Sequence, residues 1–422
     1  MTSHASLARR LGTPDAVVIG LGSMLGAGLF SAFAPAAAAA GPWLLIGLAL
    51  AALVAWANAS STAQLAAQYP RSGGAYLYGR ERLGEWPGFL AGWSFVVGKT
   101  ASCAAMALTV AAYAAPAGWE RPVAVAAVVA LVTVNVLGVT RTALATRILL
   151  SIVLVVLVVA VAAVAASGPS AAGGPFDAVA DRPFDAYGVL QSAGLLFFAF
   201  AGYARIATMG EEVRDPARTV PRAILGALVL AVVIYTVVGV SLLAALGADG
   251  LAASTQPLVD AAAAWPWTAP LIRAGAAAAS LGALLALIAG IGRTSLAMSR
   301  NGDLPRALAT IDPVRSVPRR AEITVGAIIV VLVLVADLRS AIGFSSFGVL
   351  LYYLVANVAA LTQEARHRRY PRVLAVIGVA GCLLLVATLP PASIAGGAAV
   401  LAVGAAYRVI TQSRVRRSSQ TK

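Results

Sequence analysis

The stretch Ile19–Phe30 decides the fold of this chain, because its sequence, IGLGSMLGAGLF, is an apolar run with an unusual density of glycines. Four glycines fall between Gly20 and Gly28, and each weakens a helix interior by about 1 kcal/mol relative to alanine. The apolar sequence continues on both sides, so the run can cross the roughly 30 Å of hydrocarbon in a bilayer. Inside a membrane, unwound backbone is tolerated only where it is buried in protein or lines a cavity. The stretch therefore predicts a broken membrane helix beside a buried site.

Two interpretations of these glycines stay open at the level of sequence. A break exposes backbone N–H groups at the N-terminus of a half-helix, and these suit a substrate carboxylate. Alternatively, Gly22 and Gly26 match the small-x-x-x-small pattern of closely packed membrane helices. A dinucleotide-binding turn is excluded, because no βαβ unit follows and no acidic residue stands about 20 positions further on.

The rest of the chain has the composition of a membrane protein. Of its 422 residues, 60% are hydrophobic and 11% are charged, whereas a soluble domain has about 25% charged residues. The segment before the first apolar run is too short and polar for a cleaved signal peptide. Apolar runs of about 20 residues recur along the whole length, so we predict an all-α integral membrane protein with about twelve transmembrane helices. The predicted spans are residues 14–40, 43–67, 88–114, 121–138, 146–167, 187–208, 221–247, 271–299, 321–336, 342–363, 371–389 and 391–411.

The basic residues indicate how the chain is oriented. Its 31 Lys and Arg against 17 Asp and Glu give a net charge of +14, which could suggest a nucleic-acid partner. These basic residues, however, cluster between apolar runs and mainly at alternate connections, as the positive-inside rule predicts. We therefore expect the lipid bilayer rather than nucleic acid as partner, and both termini, including the basic tail 412–422, in the cytoplasm.

A second interrupted span is predicted at Phe197–Arg205, which reads FFAFAGYAR and places Gly202 among aromatic residues. It lies five spans after the first break, and an odd number of spans inverts the second unit relative to the first. Broken helices at matching positions of two inverted halves mark a substrate site near the middle of the membrane. We therefore predict one transmembrane domain, residues 1–422, with inverted repeats 14–167 and 187–363 and accessory helices 11 and 12 in 371–411.

Among the residues of the predicted spans, a charged Lys99 would cost the most free energy to place in the bilayer. It falls about 11 residues into the third span, roughly 16 Å along the helix, which is the middle of the bilayer. A charged lysine there costs on the order of 2.5–3.5 kcal/mol, and the spans offer hardly any acidic partner. Because burial favours the neutral amine, Lys99 is a candidate for proton coupling, beside a pocket that Ser102 would also line. The alternative is a neutral lysine with a structural hydrogen bond.

The other charged residues near the spans suggest structural roles. Arg205 and Arg293 lie near the cytoplasmic ends of their spans, where long side chains can reach the interface. Glu211 and Glu212 belong to a connection of mixed charge that we expect to act as a gate or an ion-pair loop. The run 300–305 is similar in kind.

No enzyme chemistry is predicted. The sequence has no Ser/His/Asp or metal-ligand arrangement, and its two histidines, His4 and His367, lie outside the predicted spans. Cys103 and Cys382 stand alone within apolar runs, so we expect packed thiols. We therefore expect neither a metal nor another cofactor.

Four segments together resemble the amino acid–polyamine–organocation (APC) superfamily of secondary transporters. They are Gly26–Phe30, Tyr69–Tyr76, the sixth span with its continuation to Arg222, and Ser299–Pro305. The resemblance covers essentially the whole chain, and the first two segments are its most specific part. It implies a LeuT-like fold of five-plus-five inverted repeats with two extra helices. It also implies a bacterial permease of the cell membrane, which takes up amino acids or amines with protons or exchanges them.

The resemblance implies roles for residues of the first span. Gly26, Ala27 and Gly28 would cradle the carboxylate of a small-molecule substrate with their backbone. Ser23 and Met24 would line the pocket.

It also implies roles in the sixth and third spans. The break in the sixth span would receive the amino group of the substrate through its carbonyls, and one of its two phenylalanines would act as an aromatic gate. The residues concerned are Phe198, Ala199, Phe200, Ala201 and Gly202. Lys99 falls where related antiporters place a polar residue that faces the substrate.

Two departures from the family pattern shape the functional prediction. Many relatives carry an acidic residue where Ala204 and Arg205 follow the second break, which argues against a cationic substrate and against coupling through a carboxylate. Some proton-coupled relatives carry a lysine in the fifth span, whereas Ile148–Ala166 has none. We therefore expect a secondary transporter of neutral amino acids, which is driven by protons through Lys99 or works by exchange. An exporter, a polyamine or cationic amino acid antiporter, and a channel or membrane sensor are the alternatives, and the oligomeric state stays open.

Overall fold

Helices account for nearly all of the described part of the chain. The structure is a computed structural model, and it describes residues 11–71, 73–138, 143–167, 183–207, 209, 213–312, 315 and 317–420, without the side chains of 143–145 and 413–420. Within these residues, the only β contact is an isolated bridge between Leu11 and Val213. The predicted all-α class is therefore confirmed.

The helices follow the predicted spans. In chain order they are α1 (Thr13–Met24), α2 (Ala27–Ser31), α3 (Phe33–Ala40), α4 (Leu44–Gln68), α5 (Gly74–Leu83), α6 (Glu85–Ala114), α7 (Glu120–Val136), α8 (Ala143–Ala166), α9 (Ala186–Phe200), α10 (Ala204–Ala207), α11 (Pro216–Ala253), α12 (Pro257–Ala261), α13 (Thr268–Arg300), α14 (Arg319–Val335), α15 (Leu338–Leu361), α16 (Arg372–Thr388) and α17 (Pro391–Gln420). Short 3₁₀ turns lie at Gly41–Trp43, Ala201–Tyr203, Arg306–Ala309 and Ala365–His367.

Their lengths and composition are those of membrane spans. Counting only the described residues, nine helical segments are long and apolar enough to cross a membrane, and α16 is a shorter apolar helix. The two remaining predicted spans are α7 and α14, which have 17 residues each and an acidic residue in the first turn. Each of the predicted spans is thus occupied by helix, as an integral membrane fold requires.

The first span is broken where its glycines predict. Leu25, with φ −77° and ψ 55°, and Gly26, with φ −115° and ψ −143°, leave the helical region between α1 and α2. Ala32 has right-handed helical dihedrals, so α2 and α3 follow one another with little change of direction. The half-helix that starts at Ala27 therefore has first-turn N–H groups without intrahelical acceptors.

The sixth span is interrupted as well. Its long half, α9, ends at Phe200, and the chain makes the 3₁₀ turn Ala201–Tyr203 before the short helix α10. A 3₁₀ turn inside a helix shifts the hydrogen-bond pattern and often marks a functional hinge. Both predicted breaks are therefore present.

Some boundaries differ from the sequence prediction. The Gly-, Pro- and Ala-rich sequence of residues 248–270 predicts a surface connection, but this segment contains the end of α11 and all of α12. Gly247, with φ 65°, kinks the chain and allows the helix to resume, and Pro257 is tolerated in the first turn of α12. The last helix continues to Gln420 instead of ending at 411. The sequence between the second and third predicted spans predicts a short cytoplasmic helix, and α5 lies there.

Close contacts between small residues hold the spans that surround the breaks. Gly98 of α6 packs on Gly348 of α15 so tightly that a Cβ on Gly348 would lie 2.7 Å from the Cα of Gly98. Small residues let membrane helices approach each other at this distance. This contact fixes the side of α6 that carries Lys99 and Ser102 relative to α15.

A candidate substrate site at two broken helices

The two breaks lie in direct contact. A Cβ on Gly28 would lie 2.5 Å from the Cα of Ala199, and a Cβ on Gly202 would overlap the carbonyl oxygen of Ser23. Glycine is therefore required at Gly28 and at Gly202. Of the two glycines interpreted as a packing pair, a Cβ on Gly22 would make only an ordinary contact of 3.6 Å with Thr146, whereas Gly26 is closely packed and also belongs to the break.

Tyr235 of α11 joins the two breaks through one hydroxyl group. Its oxygen lies 2.8 Å from the carbonyl oxygen of Met24 and 2.9 Å from that of Ala199, and its side chain is fully buried. The ring also meets Phe200 edge-on, with 5.0 Å between the ring centroids. A buried tyrosine normally finds a hydrogen-bond partner, which is the one signal that could have identified Tyr235 from the sequence.

Lys99 reaches the break in the sixth span. Its Nζ donates a hydrogen bond of 3.0 Å to the carbonyl oxygen of Ala201, and the residue is only 5% exposed. Carbonyls at the end of a helix lack intrahelical donors, so the amine fills an open position. Among the described residues, no carboxylate forms an ion pair with Lys99.

Hydroxyl groups from α6 and α15 meet beside Lys99. Ser102 lies 2.5 Å from the hydroxyl of Ser345 and 3.3 Å from the carbonyl oxygen of Gly98. The neighbouring Ser346 is fully buried, and its hydroxyl has no hydrogen-bond partner within the described part of the chain. The tenth span thus adds polar groups that the sequence analysis did not single out.

The other predicted residues of the first break lie close by. Ser23 is half-buried and donates to the carbonyl oxygen of Ile19 at 2.8 Å, while Met24 and Ala27 are buried. Gly26 faces α13, since a Cβ on it would lie 3.0 Å from that of Ala283.

Both phenylalanines of the second break are enclosed. Phe198 is 6% exposed and Phe200 is fully buried. A cavity of about 130 Å³ lies elsewhere, between α6, α14, α15 and α17, and none of the predicted site residues lines it. Most residues of the two breaks are therefore buried, while Ser23 and Gly202 are half-buried.

The predicted gate residues that the structure describes lie nearer the surface than the two breaks. Arg205 is half-buried, and Arg293 is exposed close to the buried carboxylate of Glu322, with which it interacts electrostatically. Glu211 and Glu212 lie outside the described residues, so their predicted role stays a prediction.

The run 300–305 forms an ion-pair cluster at the predicted cytoplasmic side. The carboxylate of Asp303, 4% exposed, accepts hydrogen bonds of 2.8 Å from Tyr76 and from Arg80, and it pairs with Arg408 of α17. Burial raises the pKa of Tyr76 to about 12, so its hydroxyl remains a donor at physiological pH. The predicted ion-pair loop is therefore present at Asp303, and its partner Arg408 on the last helix is an addition that the sequence does not predict.

Arg408 is enclosed by aromatic rings. Its guanidinium carbon lies 5.0 Å from the ring centroid of Trp86 and 4.8 Å from that of Phe89, and the side chain is 3% exposed. Stacking on aromatic faces suits a planar guanidinium. The cluster therefore attaches α17 to the start of α6.

The groups around the breaks are suited to binding rather than to bond cleavage. Backbone N–H groups begin α2, carbonyl groups end α9, and a single amine and several hydroxyl groups lie between them. Within the described residues, no group of three His, Cys, Asp or Glu side chains could hold a metal ion. An anion-binding end opposite a cation-binding end fits a zwitterion.

Broken helices that meet at a buried polar centre within a helical membrane fold define the class of multi-pass membrane transporters. Within that class, the chain belongs to the amino acid permease family, whose sequence pattern matches residues 11–411. The members of this family are permeases and not enzymes.

Individual relatives agree with this assignment. A protein of Mycobacterium tuberculosis (strain ATCC 25618 / H37Rv) named as an uncharacterized transporter is 56% identical over 419 residues, which cover 98% of this chain and 94% of the relative. The branched-chain amino acid permease of Bacillus subtilis (strain 168) is 26% identical over 403 residues, covering 90% of this chain and 86% of the relative. The chloroplastic cationic amino acid transporter 7 of Arabidopsis thaliana is 27% identical over 382 residues, covering 84% and 65%. The chain is thus a multi-pass membrane protein of amino acid transport.

Proposed function

We propose that this permease is a secondary transporter that moves neutral amino acids across the cell membrane by alternating access between two inverted halves, residues 14–167 and 187–363. The observation that carries the proposal is the contact between the two broken helices, at Gly28 and Ala199. Because most residues of these breaks are buried, binding of a substrate between them would require the helices to move. Alternating exposure of a buried central site is the mechanism that such broken helices serve.

The backbone would bind the part of the substrate that all amino acids share. The N–H groups of Ala27 and Gly28 would hold the carboxylate, since the start of a half-helix attracts negative charge. Gly26 would complete this backbone cradle, with its own N–H donating to the carbonyl oxygen of Met24 at 2.8 Å. The carbonyl groups at the end of α9 would accept the ammonium group. The side chains of Ser23, Met24, Phe198 and Phe200 would then surround the variable part of the substrate.

The scarcity of acidic residues favours a neutral side chain on the substrate. Neither Ala186–Ala207 nor Leu338–Leu361 contains an Asp or Glu, and the single acid of Glu85–Ala114 is its first residue. A cationic side chain held in a low-dielectric site would need such a partner. The cationic substrate named for the plant relative supports the alternative of a cationic amino acid or polyamine antiporter.

Proton coupling, a cytoplasmic gate and the orientation of the chain in the membrane are further parts of the proposed function. Lys99 would couple transport to protons or, if it remains a structural lysine, the protein would exchange one amino acid for another. Arg205, Arg293, Glu211 and Glu212 would act at a cytoplasmic gate or in its supporting ion pairs. Both termini would lie in the cytoplasm of a bacterial cell.

A thermal-unfolding screen of the purified full-length protein tests the proposal. A ligand that binds the folded state raises the unfolding temperature according to its concentration and its Kd. We expect stabilisation by neutral amino acids such as L-alanine or L-leucine, and no stabilisation by L-arginine or putrescine. Stabilisation by the cationic compounds alone would support the cationic antiporter. Ion conductance in planar bilayers without any stabilising amino acid would indicate a channel.

A further inference from the structure

We propose that Lys99 is a built-in competitor of the amino group of the substrate, so that the permease releases a proton when it binds an amino acid and works as an antiporter. This inference rests on the proposed function, because it concerns the same site. It decides the direction in which a proton gradient drives the transport.

The geometry places two amines at one acceptor. Lys99 Nζ donates to the carbonyl oxygen of Ala201 at 3.0 Å, and this carbonyl lies in the break where the ammonium group of a substrate would bind. A lysine side chain ends in the same ammonium group that an amino acid carries. Two ammonium groups within a few ångström repel each other strongly in a low-dielectric interior. The charged lysine and the substrate therefore exclude each other.

The neighbouring carbonyl group of Ala199 faces a rigid donor instead. Its oxygen lies 2.9 Å from the Tyr235 hydroxyl, which shares its single proton between this oxygen and that of Met24, 2.8 Å away. Lys99, by contrast, reaches Ala201 on a flexible four-carbon stem that can withdraw. The Ala201 carbonyl is thus the acceptor that a substrate can take over.

The surroundings give the charged lysine no other compensation. Within the described residues, Cys103 on the same helix is the titratable group that interacts electrostatically with Lys99. Of the elements packed against α6, α15 carries the buried Tyr352 and Tyr353 and, in its first turn, Arg339, while α2 carries no titratable group. The charged residues of α7, α13 and α14 lie toward the ends of these helices, and α5 and α17 contribute Tyr76, Arg80 and Arg408 to the cluster around Asp303. The hydrogen bond to Ala201 is therefore what stabilises the ammonium form.

The proton balance follows from this exchange of partners. In the empty site, Lys99 is an ammonium group on the Ala201 carbonyl. When a zwitterionic amino acid binds, its own ammonium group donates to that carbonyl, and one N–H bond of Lys99 breaks. The bonding electron pair stays on the nitrogen as a lone pair, and the proton passes to water. Release of the amino acid reverses these steps.

The direction of transport follows from the balance. The loaded carrier crosses with neutral Lys99, and the empty carrier returns with protonated Lys99. One amino acid and one proton therefore move in opposite directions in each cycle. With the proton gradient of a cell directed inward, the permease exports neutral amino acids.

Proton release on binding is the direct test. The purified full-length protein is placed in weak buffer with a pH indicator between pH 6 and 9, and L-leucine or L-alanine is added while binding is measured by calorimetry. We expect release of about one proton per bound amino acid over part of this range, with a pH-dependent affinity. The chain has two lysines, Lys99 and Lys422, so Lys422→Met is a matched control that should release protons as the wild type does.

Two variants at position 99 separate charge from size. Lys99→Met should lower the number of protons released per bound amino acid to near zero. Lys99→Arg keeps a cation that cannot lose its proton, so it should weaken binding at least tenfold. Nitrogen-15 NMR of the lysine side chains in the unmodified protein gives the same answer without a variant, because Lys99 should change from ammonium to amine when L-leucine binds.

The outcomes are distinguishable. Binding without proton release, with an affinity that does not depend on pH and an unchanged NMR signal of Lys99, would overturn the antiport inference and leave the proposed transport of neutral amino acids intact. Equal proton release by Lys99→Met would overturn it too. No binding of any neutral amino acid would remove the proposed function and this inference together.

Discussion

Tyr235 is the residue through which a third helix holds both breaks, since one hydroxyl group reaches the carbonyl oxygens of Met24 and Ala199. In Tyr235→Phe these buried carbonyls lose a donor, which costs about 1–3 kcal/mol for an unsatisfied buried group. Because the packing of the ring is kept, we expect the protein to fold and to bind L-leucine roughly tenfold more weakly, as measured by calorimetry.

Tyr187→Phe is the matched control for this substitution. Tyr187 lies in the first turn of α9 and is 49% exposed. Loss of its hydroxyl should leave affinity unchanged. Wild-type affinity in Tyr235→Phe would show that the hydroxyl does not position the breaks.

Gly28 sets the distance between the two broken helices. An alanine at this position would place its Cβ 2.5 Å from the Cα of Ala199, so the backbone of α2 or α9 would have to shift. Overpacking of this kind typically costs about 1–3 kcal/mol. We expect Gly28→Ala to unfold at a lower temperature and to lose amino acid transport in proteoliposomes.

Gly290→Ala controls for the change from glycine to alanine itself. Gly290 also lies within a membrane helix, α13, but nothing lies within 4 Å of a Cβ built on it. This alanine should be neutral or should stabilise the helix by up to about 1 kcal/mol. Equal loss of transport in both variants would contradict a specific role of the Gly28 contact.

At the scale of elements, the buried pair of Asp303 and Arg408 attaches the last helix to the rest of the fold. Removal of one partner leaves a buried charge with less compensation, which costs about 3–5 kcal/mol. Arg80 and Tyr76 remain beside the carboxylate, so we expect Arg408→Met at the lower end of this range. Thermal or denaturant unfolding in detergent would measure the loss.

An exposed ion pair on the same side provides the comparison. Arg71 and Glu81 lie 2.6 Å apart, but their side chains are 60% and 39% exposed. Exposed pairs contribute about 0–1 kcal/mol, so Arg71→Met should change stability by no more than that. If Arg408→Met were as mild as Arg71→Met, the cluster would not be what holds α17.

The elements that sequence could predict are those whose signal is local. The spans follow from runs of apolar residues, and the breaks follow from the glycines around Gly26 and Gly202, because each signal lies within one helix. The partners of Lys99 and Tyr235 could not be predicted, since they depend on how helices distant in sequence pack. The partner of Arg408 could not be predicted for the same reason, because Asp303 lies in the turn after α13, 105 residues earlier in the chain.

The outer connection 248–270 differs from its prediction for another reason, which is its composition. Alanine is a strong helix former, and glycine and proline interrupt a helix only at the positions they occupy. The chain therefore forms two short helical pieces around Gly247 and Pro257 rather than a loop.

At the scale of the whole molecule, contacts at the predicted cytoplasmic side divide the helices into two groups. The start of α1 pairs through Asp15 with Arg147 of α8, and Leu11 bridges to Val213 just before α11. The cluster around Asp303 instead joins α5, α6, the end of α13 and α17. Lys99 belongs to the second group and hydrogen-bonds a broken helix that contacts α1. The residue proposed to exchange the proton therefore lies where the two groups meet.

The proposed orientation places the connection after α13 in the cytoplasm and the start of α13 outside. The chain allows a clean test, because its native cysteines, Cys103 and Cys382, are fully buried. A new cysteine can therefore be labelled without removing them.

Trp267, 62% exposed, precedes α13, and Thr310 is exposed in the connection that follows it. Because basic residues concentrate on the cytoplasmic side, Trp267→Cys should react with a membrane-impermeant maleimide on intact cells. Thr310→Cys should react only after permeabilisation, and the unsubstituted protein should not react in either condition. The opposite pattern would place both termini outside the cell, and the direction of export argued from Lys99 would then have to be measured against the reversed orientation.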